Sequence, residues 1–224
     1  MLLLRQKKVY LESIWVESVK QPWAIYRRFK KSDMDFFDYA NKLKPKAGRL
    51  LVSEPYLPDP NFERTIILLC EHNDEGTVGF VLNKPSLSKL GELIKDLSQL
   101  KNVVCMGGPV QQDTLHYVHR CADIAGAIEI SEGVYWGGEF EILIERLESN
   151  ELRHEDIKFF LGYSGWSPGQ LDEEIKVNSW IVSDLASQEL IFETKEEEMW
   201  RKTLKAMGGR FSMYSNYPVD PSMN

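Results

Sequence analysis

The sequence predicts an α+β domain, with a mixed, largely antiparallel sheet and helices covering its faces, on three observations. Two apolar strand-length runs, Thr65 to Glu71 and Val78 to Leu82, flank the turn-forming segment from Asn73 to Gly76, which reads as an antiparallel hairpin. Amphipathic runs at helical spacing separate further strand-length runs. Over 224 residues, 43% hydrophobic and 11% aromatic side chains supply an ample core.

Taken in chain order, Phe36, Phe37, Ala40 and Leu43 mark one face of a short helix, and Leu50 to Val52 a short strand. Tyr56 to Asn61 is a proline-rich loop leading into the hairpin. Leu87, Leu90, Leu93, Ile94, Leu97 and Leu100 fall at helical spacing and predict a helix before a strand at Val103 to Met106 that stops at Gly107, Gly108 and Pro109. Leu115 to Val118 and Ala127 to Ile130 read as strands, and Phe140, Leu143, Ile144 and Leu147 as a helix. Asp156 to Tyr163 is an apolar strand entering a glycine- and aromatic-rich turn. Ser167 and Gln170 form a capping box there, with Pro168 in the first turn of a helix that runs to about Lys176. Strands at Trp180 to Val182 and Glu189 to Phe192 follow. The last helix takes Thr194 and Glu197 as its capping box and stops at Gly208.

Charge divides the chain. Residues 1–33 hold eight Lys/Arg against three Asp/Glu, so the formal charge of −7 leaves −12 for the remainder. That first segment reads as a loosely ordered basic extension, with Met34 as a natural start; the competing reading is a basic arm that touches nucleic acid or an acidic partner. Residues 34–224 read as a single domain. Its acidic body argues against broad binding to a phosphate backbone, which needs concentrated positive charge, while leaving room for a small local basic site. Three cysteines, Cys70, Cys105 and Cys121, lack paired spacing and fit a reducing compartment, so the expected location is the cytoplasm. No apolar run approaches the roughly 20 residues that span a bilayer, and the opening residues carry their charge on the wrong side for a secretory signal.

Several collinear blocks then match a known pattern. They are Leu50 to Pro55; Asp59 to Thr65; Cys70, Glu71 and His72; Gly79 with Asn83, Lys84 and Pro85; Gly107 to Val110; Gly162 to Trp166 with Gly169, Gln170, Leu171 and Glu174; and Asn178 to Trp180. In order and spacing the chain resembles the bacterial AlgH/YqgE family over about residues 48–208. The resemblance implies an AlgH/YqgE-like fold and a small soluble protein of a kind often labelled a transcriptional regulator, with no established reaction. It also implies a gene neighbourhood beside a Holliday-junction-resolvase-like nuclease. The chain departs from the family at Asp113 to His116, where an Asp-Arg-Gly-Phe-like stretch is usual, and at Ser164, where alanine is common.

Candidate chemistry is sparse. Ser164 lies where a nucleophile elbow would place it, but Trp166 occupies the last glycine position of that pattern, so a turn-forming serine is the alternative reading. Cys70 and His72 share one strand face and could pair as thiolate and imidazole, while the apolar run before Cys70 points to a buried, inert thiol. Adding His119 and Cys121 would complete four tetrahedral zinc ligands, without the spacing that zinc knuckles show. His116 and His119, three apart on a strand, face opposite sides. Gly107 and Gly108 follow a strand as a phosphate loop would, yet match neither glycine-rich fingerprint and read better as a tight turn. Trp136, Trp166, Trp180 and Trp200 read as core, with Trp166 alternatively anchoring a partner.

The polar residues Arg64, Glu71, His72, Asn83 and Gln170 of the matching blocks, with Gly107, Gly108 and Trp166, are the candidate ligand or partner pocket; hydrogen bonding that fixes loop geometry explains them as well. The sequence is therefore read as a non-enzymatic binding or regulatory module, needing no cofactor or metal; if it influences transcription, it does so through another protein or a ligand, and not by direct DNA or membrane contact. The alternatives are an enzyme using Cys70 or Ser164, and an accessory factor of the resolvase-like nuclease.

Overall fold

The computed structural model describes residues 41–218. Ten strands form one branched sheet: β1 (Leu50–Ser53), β2 (Ile66–Asn73), β3 (Gly76–Val81), β4 (Pro85–Lys89), β5 (Val103–Met106), β6 (Val110–His119), β7 (Ala127–Ser131), β8 (Val134–Gly137), β9 (Ile157–Trp166) and β10 (Trp180–Ser183). Among the described residues five α-helices accompany it: α1 (Leu90–Leu93), α2 (Phe140–Glu148), α3 (Gln170–Lys176), α4 (Glu196–Met207) and α5 (Gly209–Tyr214). The main path runs β10-β1-β2-β3-β9-β6-β8-β7, with β5 and then β4 branching from β9. All pairs are antiparallel except β5 with β9, so the α+β expectation of a mixed, largely antiparallel sheet holds.

The β2–β3 hairpin forms where Asn73 and Gly76 place it. Asn73 Oδ1 accepts the backbone N–H groups of Glu75 (2.8 Å) and Gly76 (3.1 Å), and Gly76 takes φ 141°. Cys70 sits at the irregularity between Leu69 and Glu71, where the register against β3 shifts by one residue.

β9 organises the rest. Its first part pairs with β5 through Phe159 to Leu161 on one edge and with β6 through Ile157 to Leu161 on the other. Its last part, Ser164 to Trp166, pairs with β3. β3 and β5 therefore share one edge of β9 end to end, and Gly107 fills the junction: its N–H donates to Leu161 O (2.8 Å), and its own carbonyl accepts from Val81 N (2.9 Å) and from Ser164 Oγ (3.1 Å). Side chains have no room here. A Cβ on Gly107 would lie 2.3 Å from Gly162 O, and one on Gly108 would lie 2.2 Å from the Tyr163 carbonyl carbon. Gly162, at φ 65°, turns the strand beneath them.

Among the described residues two apolar clusters pack against the sheet. In one, Phe140, Leu143, Ile144 and Leu147 of α2 pack on Val104, Tyr117, Ile157 and Phe159. In the other, Phe62, Trp166, Leu171 and Trp180 meet Leu51, Ile67, Leu69 and Val81. α4 lies near β1, where Trp200 Nε1 donates to Ser53 O (3.0 Å) and Lys158 of β9 pairs with Glu196. Glu196, Glu197 and Glu198 stand in the first turn of α4, where their charge suits the helix dipole, and Gly208 at φ 70° ends it as expected.

Several elements differ from expectation. The Leu87–Leu100 pattern is not one helix but β4, the single turn α1 and a 3₁₀ turn at Lys95–Leu97, because Pro85 starts an extended edge strand that leaves Leu87 fully exposed. Pro85, Lys89 and the Ser86 Oγ bond to Ser88 N (3.1 Å) guard that edge against further pairing. The glycine- and aromatic-rich segment after Tyr163 is the continuation of β9, and the turn falls at Ser167–Gly169. Gly169, at φ 74°, caps α3 in place of Ser167, whose N–H is nevertheless accepted by Gln170 Oε1 (3.0 Å). Glu189–Glu193 forms a π-helical turn instead of a strand, and Lys195, not Thr194, precedes α4. β8 and α5 were not anticipated. The helix expected from Phe36 lies largely outside the described residues.

Close approach at Gly107 predicts a specific cost. Gly107→Ala is expected to destabilise the protein by about 2–4 kcal/mol, since backbone must move to admit the methyl group. Gly169→Ala, with nothing within 4 Å of its added Cβ, is expected to cost only the left-handed strain, about 1 kcal/mol. Urea denaturation of both variants checks the difference.

Candidate functional site

The proposed pocket residues divide into separate hydrogen-bonded groups. At the end of β9, Glu174 of α3 accepts both indole N–H groups on one oxygen, Trp166 Nε1 at 2.8 Å and Trp180 Nε1 at 2.8 Å, and Gln170 Nε2 on the other at 3.0 Å. Trp166 and Trp180 meet edge to face with centroids 6.0 Å apart, and Phe62 packs on Trp180 at 5.4 Å. The helical spacing of Gln170 and Glu174 puts both on one face of α3, turned to the strand ends that bear the indoles. The carboxylate thus locks α3 onto β9 and β10 by charge-assisted bonds.

Arg64 and Asn83 form a second group at the opposite end of the β2–β3 hairpin. Asn83 accepts from Ile66 N (2.8 Å) and donates to Arg64 O (2.9 Å), bridging the chain before β2 to the chain after β3. Arg64 holds φ 49°, and its side chain turns to the C-terminal helices, 4.8 Å over the Trp200 ring, with Nη2 donating to Tyr217 O at 2.8 Å and to Pro218 O. Burial lowers its pKa, with the nearby Arg201 charge acting the same way.

The remaining candidates serve local geometry. Glu71 accepts from Asn73 Nδ2 at 2.8 Å, and His72 Nδ1 lies 2.7 Å from Thr77 Oγ1. Gly107 and Gly108 make the close contact with β9 described above, and the Gly107 N–H is donated to Leu161 O.

Nucleophiles fare similarly. Cys70 is buried, its Sγ 3.8 Å from Leu68 O, and burial pushes its thiol well above the ordinary range. Cys105 is also buried and is pushed up to about 11 by the same cause. Ser164 is fully buried within β9 and donates to Gly107 O. His116 packs against Phe80 at 5.1 Å with Nε2 3.1 Å from Thr114 Oγ1, and burial pulls its pKa down to about 4. His119 is fully buried, with Nε2 2.8 Å from Gly137 O and Nδ1 accepting from Cys121 N at 3.2 Å; burial lowers its pKa too. Both of its ring nitrogens face backbone partners, which leaves no lone pair for zinc. Among the described residues no group of three or more His, Cys, Asp or Glu is placed to hold a metal ion.

Glu174 falls within a matching block, and its four-residue spacing from Gln170, with Trp166 and Trp180 on either side, is the signal in the sequence for its role. The partner of Arg64 gave none, because Tyr217 lies 153 residues away.

With this geometry in view, comparison with known proteins is decisive for ancestry. The AlgH-like family model matches residues 50–212. The chain belongs to the AlgH-like family. A UPF0301 protein of Chlorobaculum tepidum is 42% identical over 180 residues, 80% of this chain and 96% of that protein. Another from Cytophaga hutchinsonii is 41% identical over 179 residues, covering 79% and 98%. Among solved structures, AlgH from Pseudomonas aeruginosa superposes with TM-score 0.62 at 25% identity, covering 79% of this chain and 97% of that one. A Corynebacterium diphtheriae protein gives 0.64 at 22% identity, covering 78% and 94%, which bears on the fold alone. No helix among the described residues of this AlgH-like chain is long and apolar enough to cross a membrane.

The two depressed histidines imply an acid-side loss of stability. A base whose folded pKa lies below its unfolded value, about 6.5, stabilises fully above that value and loses its contribution as pH falls toward the folded pKa. Thermal stability is expected to drop between pH 7 and pH 4.5, with His116 contributing on the order of 3 kcal/mol. His116→Gln should flatten the profile across that window, as thermal melts at stepped pH would reveal.

Proposed function

We propose that this AlgH-like protein acts by non-covalent binding, as a regulatory module, and not by covalent catalysis. One observation carries the reading: both nucleophile candidates lie inside the sheet, Ser164 donating to Gly107 O and Cys70 buried, where burial raises its thiol pKa. A nucleophile must reach its substrate and find a base. Both are buried, and the polar atoms they meet are backbone carbonyls, Leu68 O for Cys70 and Gly107 O for Ser164.

The acidic charge of residues 34–224 favours action through a protein partner or small ligand over direct contact with duplex DNA. In this reading residues 34–224 work as a single unit in the cytoplasm, and the basic residues 1–33 are an appendage to it. Any effect on transcription is then indirect.

Two measurements on the full chain test this. A thiol-directed chromogenic reagent is expected to leave Cys70 and Cys105 unlabelled in the native protein and to label both in denaturant; rapid native labelling of Cys70 would overturn the reading. Duplex DNA titrated at low salt into the full chain is expected to bind weakly if at all; tight binding with a steep salt slope would contradict it.

A further inference from the structure

Arg64 is engaged by oxygens that carry no charge. Its guanidinium stacks over Trp200 at 4.8 Å, and Nη2 donates to the carbonyls of Tyr217 and Pro218. Its Nε is buried without a hydrogen-bond partner among the described residues. Beside it, the Tyr217 ring stacks on Tyr56 with centroids 6.0 Å apart and planes 10° from parallel. Glu63 and Arg201 are the charged neighbours that act on Arg64 most strongly.

A planar guanidinium fork matches the oxygens of phosphate or carboxylate, and two neutral carbonyls on one nitrogen satisfy only part of it. The Tyr217–Pro218 segment brings two things together at this place: a flat ring on Tyr56 and a pair of oxygens on Arg64. A ring and a group of oxygens in that arrangement are the chemistry of a nucleoside phosphate. We propose that Tyr56 and Arg64 form a binding site for a nucleoside monophosphate, the base stacking on Tyr56 and the phosphate taking the Arg64 fork. In this structure the chain's own Tyr217–Pro218 segment occupies that site, and the ligand displaces it. Arg201 adds positive charge near the Arg64 fork, against the negative charge of Glu63, and the guanidinium lies over the Trp200 ring at 4.8 Å.

The site deepens the reading of a non-covalent binding protein and rests on it. Turnover of the nucleotide would overturn that reading while leaving the site in place. Native labelling of Cys70 would bear on that reading alone.

Calorimetric titration of the full chain with AMP, inorganic phosphate and adenosine decides the matter. Tyr217→Ala, which removes the occluding ring, is expected to bind AMP about ten-fold tighter than the wild type, because the competing segment is weakened. In that background Arg64→Lys keeps the charge but loses the fork and is expected to weaken AMP by about ten-fold, while Tyr56→Ala brings AMP to the level of inorganic phosphate. Equal AMP affinity of Tyr217→Ala and wild type would overturn the proposal. So would indifference to Arg64→Lys, or phosphate binding Tyr217→Ala as well as AMP does. If Arg64→Lys fails to fold, the Tyr217 ring resonances of the wild-type chain give the answer: saturating AMP is expected to move them to the positions of a solvated tyrosine, and unmoved resonances would sink the idea.

Discussion

The structure depends on β9 touching three strands at once, and that contact depends on two residues without side chains. Gly107 sits where β3 ends and β5 ends; its N–H donates to Leu161, and its carbonyl accepts from Val81 and Ser164. Nothing larger fits, since an added Cβ would fall 2.3 Å from Gly162 O. From this junction the other features follow. β6 leads to β8 and β7 on one edge, β3 leads to β2, β1 and β10 on the other, and α2 and α3 each cover one part of the result. The Gly107–Gly108 and Gly162–Trp166 blocks that identified the family are the two sides of this single contact.

The polar residues of the family blocks are best understood as fasteners. Taking a carboxylate such as Glu174 partly out of water costs several kcal/mol. Three charge-assisted bonds of about 1.5–3 kcal/mol each offset that, and in exchange α3 is oriented on two tryptophans. Asn83 does comparable work with a neutral amide, satisfying one donor and one acceptor of the main chain around β2. Asp156, at the head of β9, accepts from Arg153 and Arg120, and those bonds hold its carboxyl below the usual range. Arg64 stands apart from these, because its partners are neutral carbonyls at the end of the described chain.

Legibility in the sequence followed locality. The β2–β3 hairpin was readable because Asn73 and Gly76 carry their own turn chemistry, and α2 because its four apolar residues fall on one helical face. Leu87 to Leu100 misled, since leucines at helical spacing outweighed Pro85 and Gly91, the residues that break the pattern. Glu189 to Phe192 misled differently: a short apolar run has no period of its own, and packing decided between strand and helical turn. β8, with a tryptophan between short glycine turns, offered too few residues to alternate. The site was least legible, because Glu174 with Trp180 and Arg64 with Tyr217 are brought together only by tertiary structure. What the residues around Gly107 announce is tightness, and the close backbone contact there shows it.

Native-state hydrogen exchange in increasing denaturant measures whether β9 binds the sheet into one unit. If it does, the amide hydrogens of Phe159, Leu161 and Tyr163 exchange only with a free energy equal to that of global unfolding, and β2–β3 opens together with β6 and β8. Exchange of β6, β8 and β7 as an independent unit, with the β9 amides opening while β1 to β3 stay closed, would contradict the account.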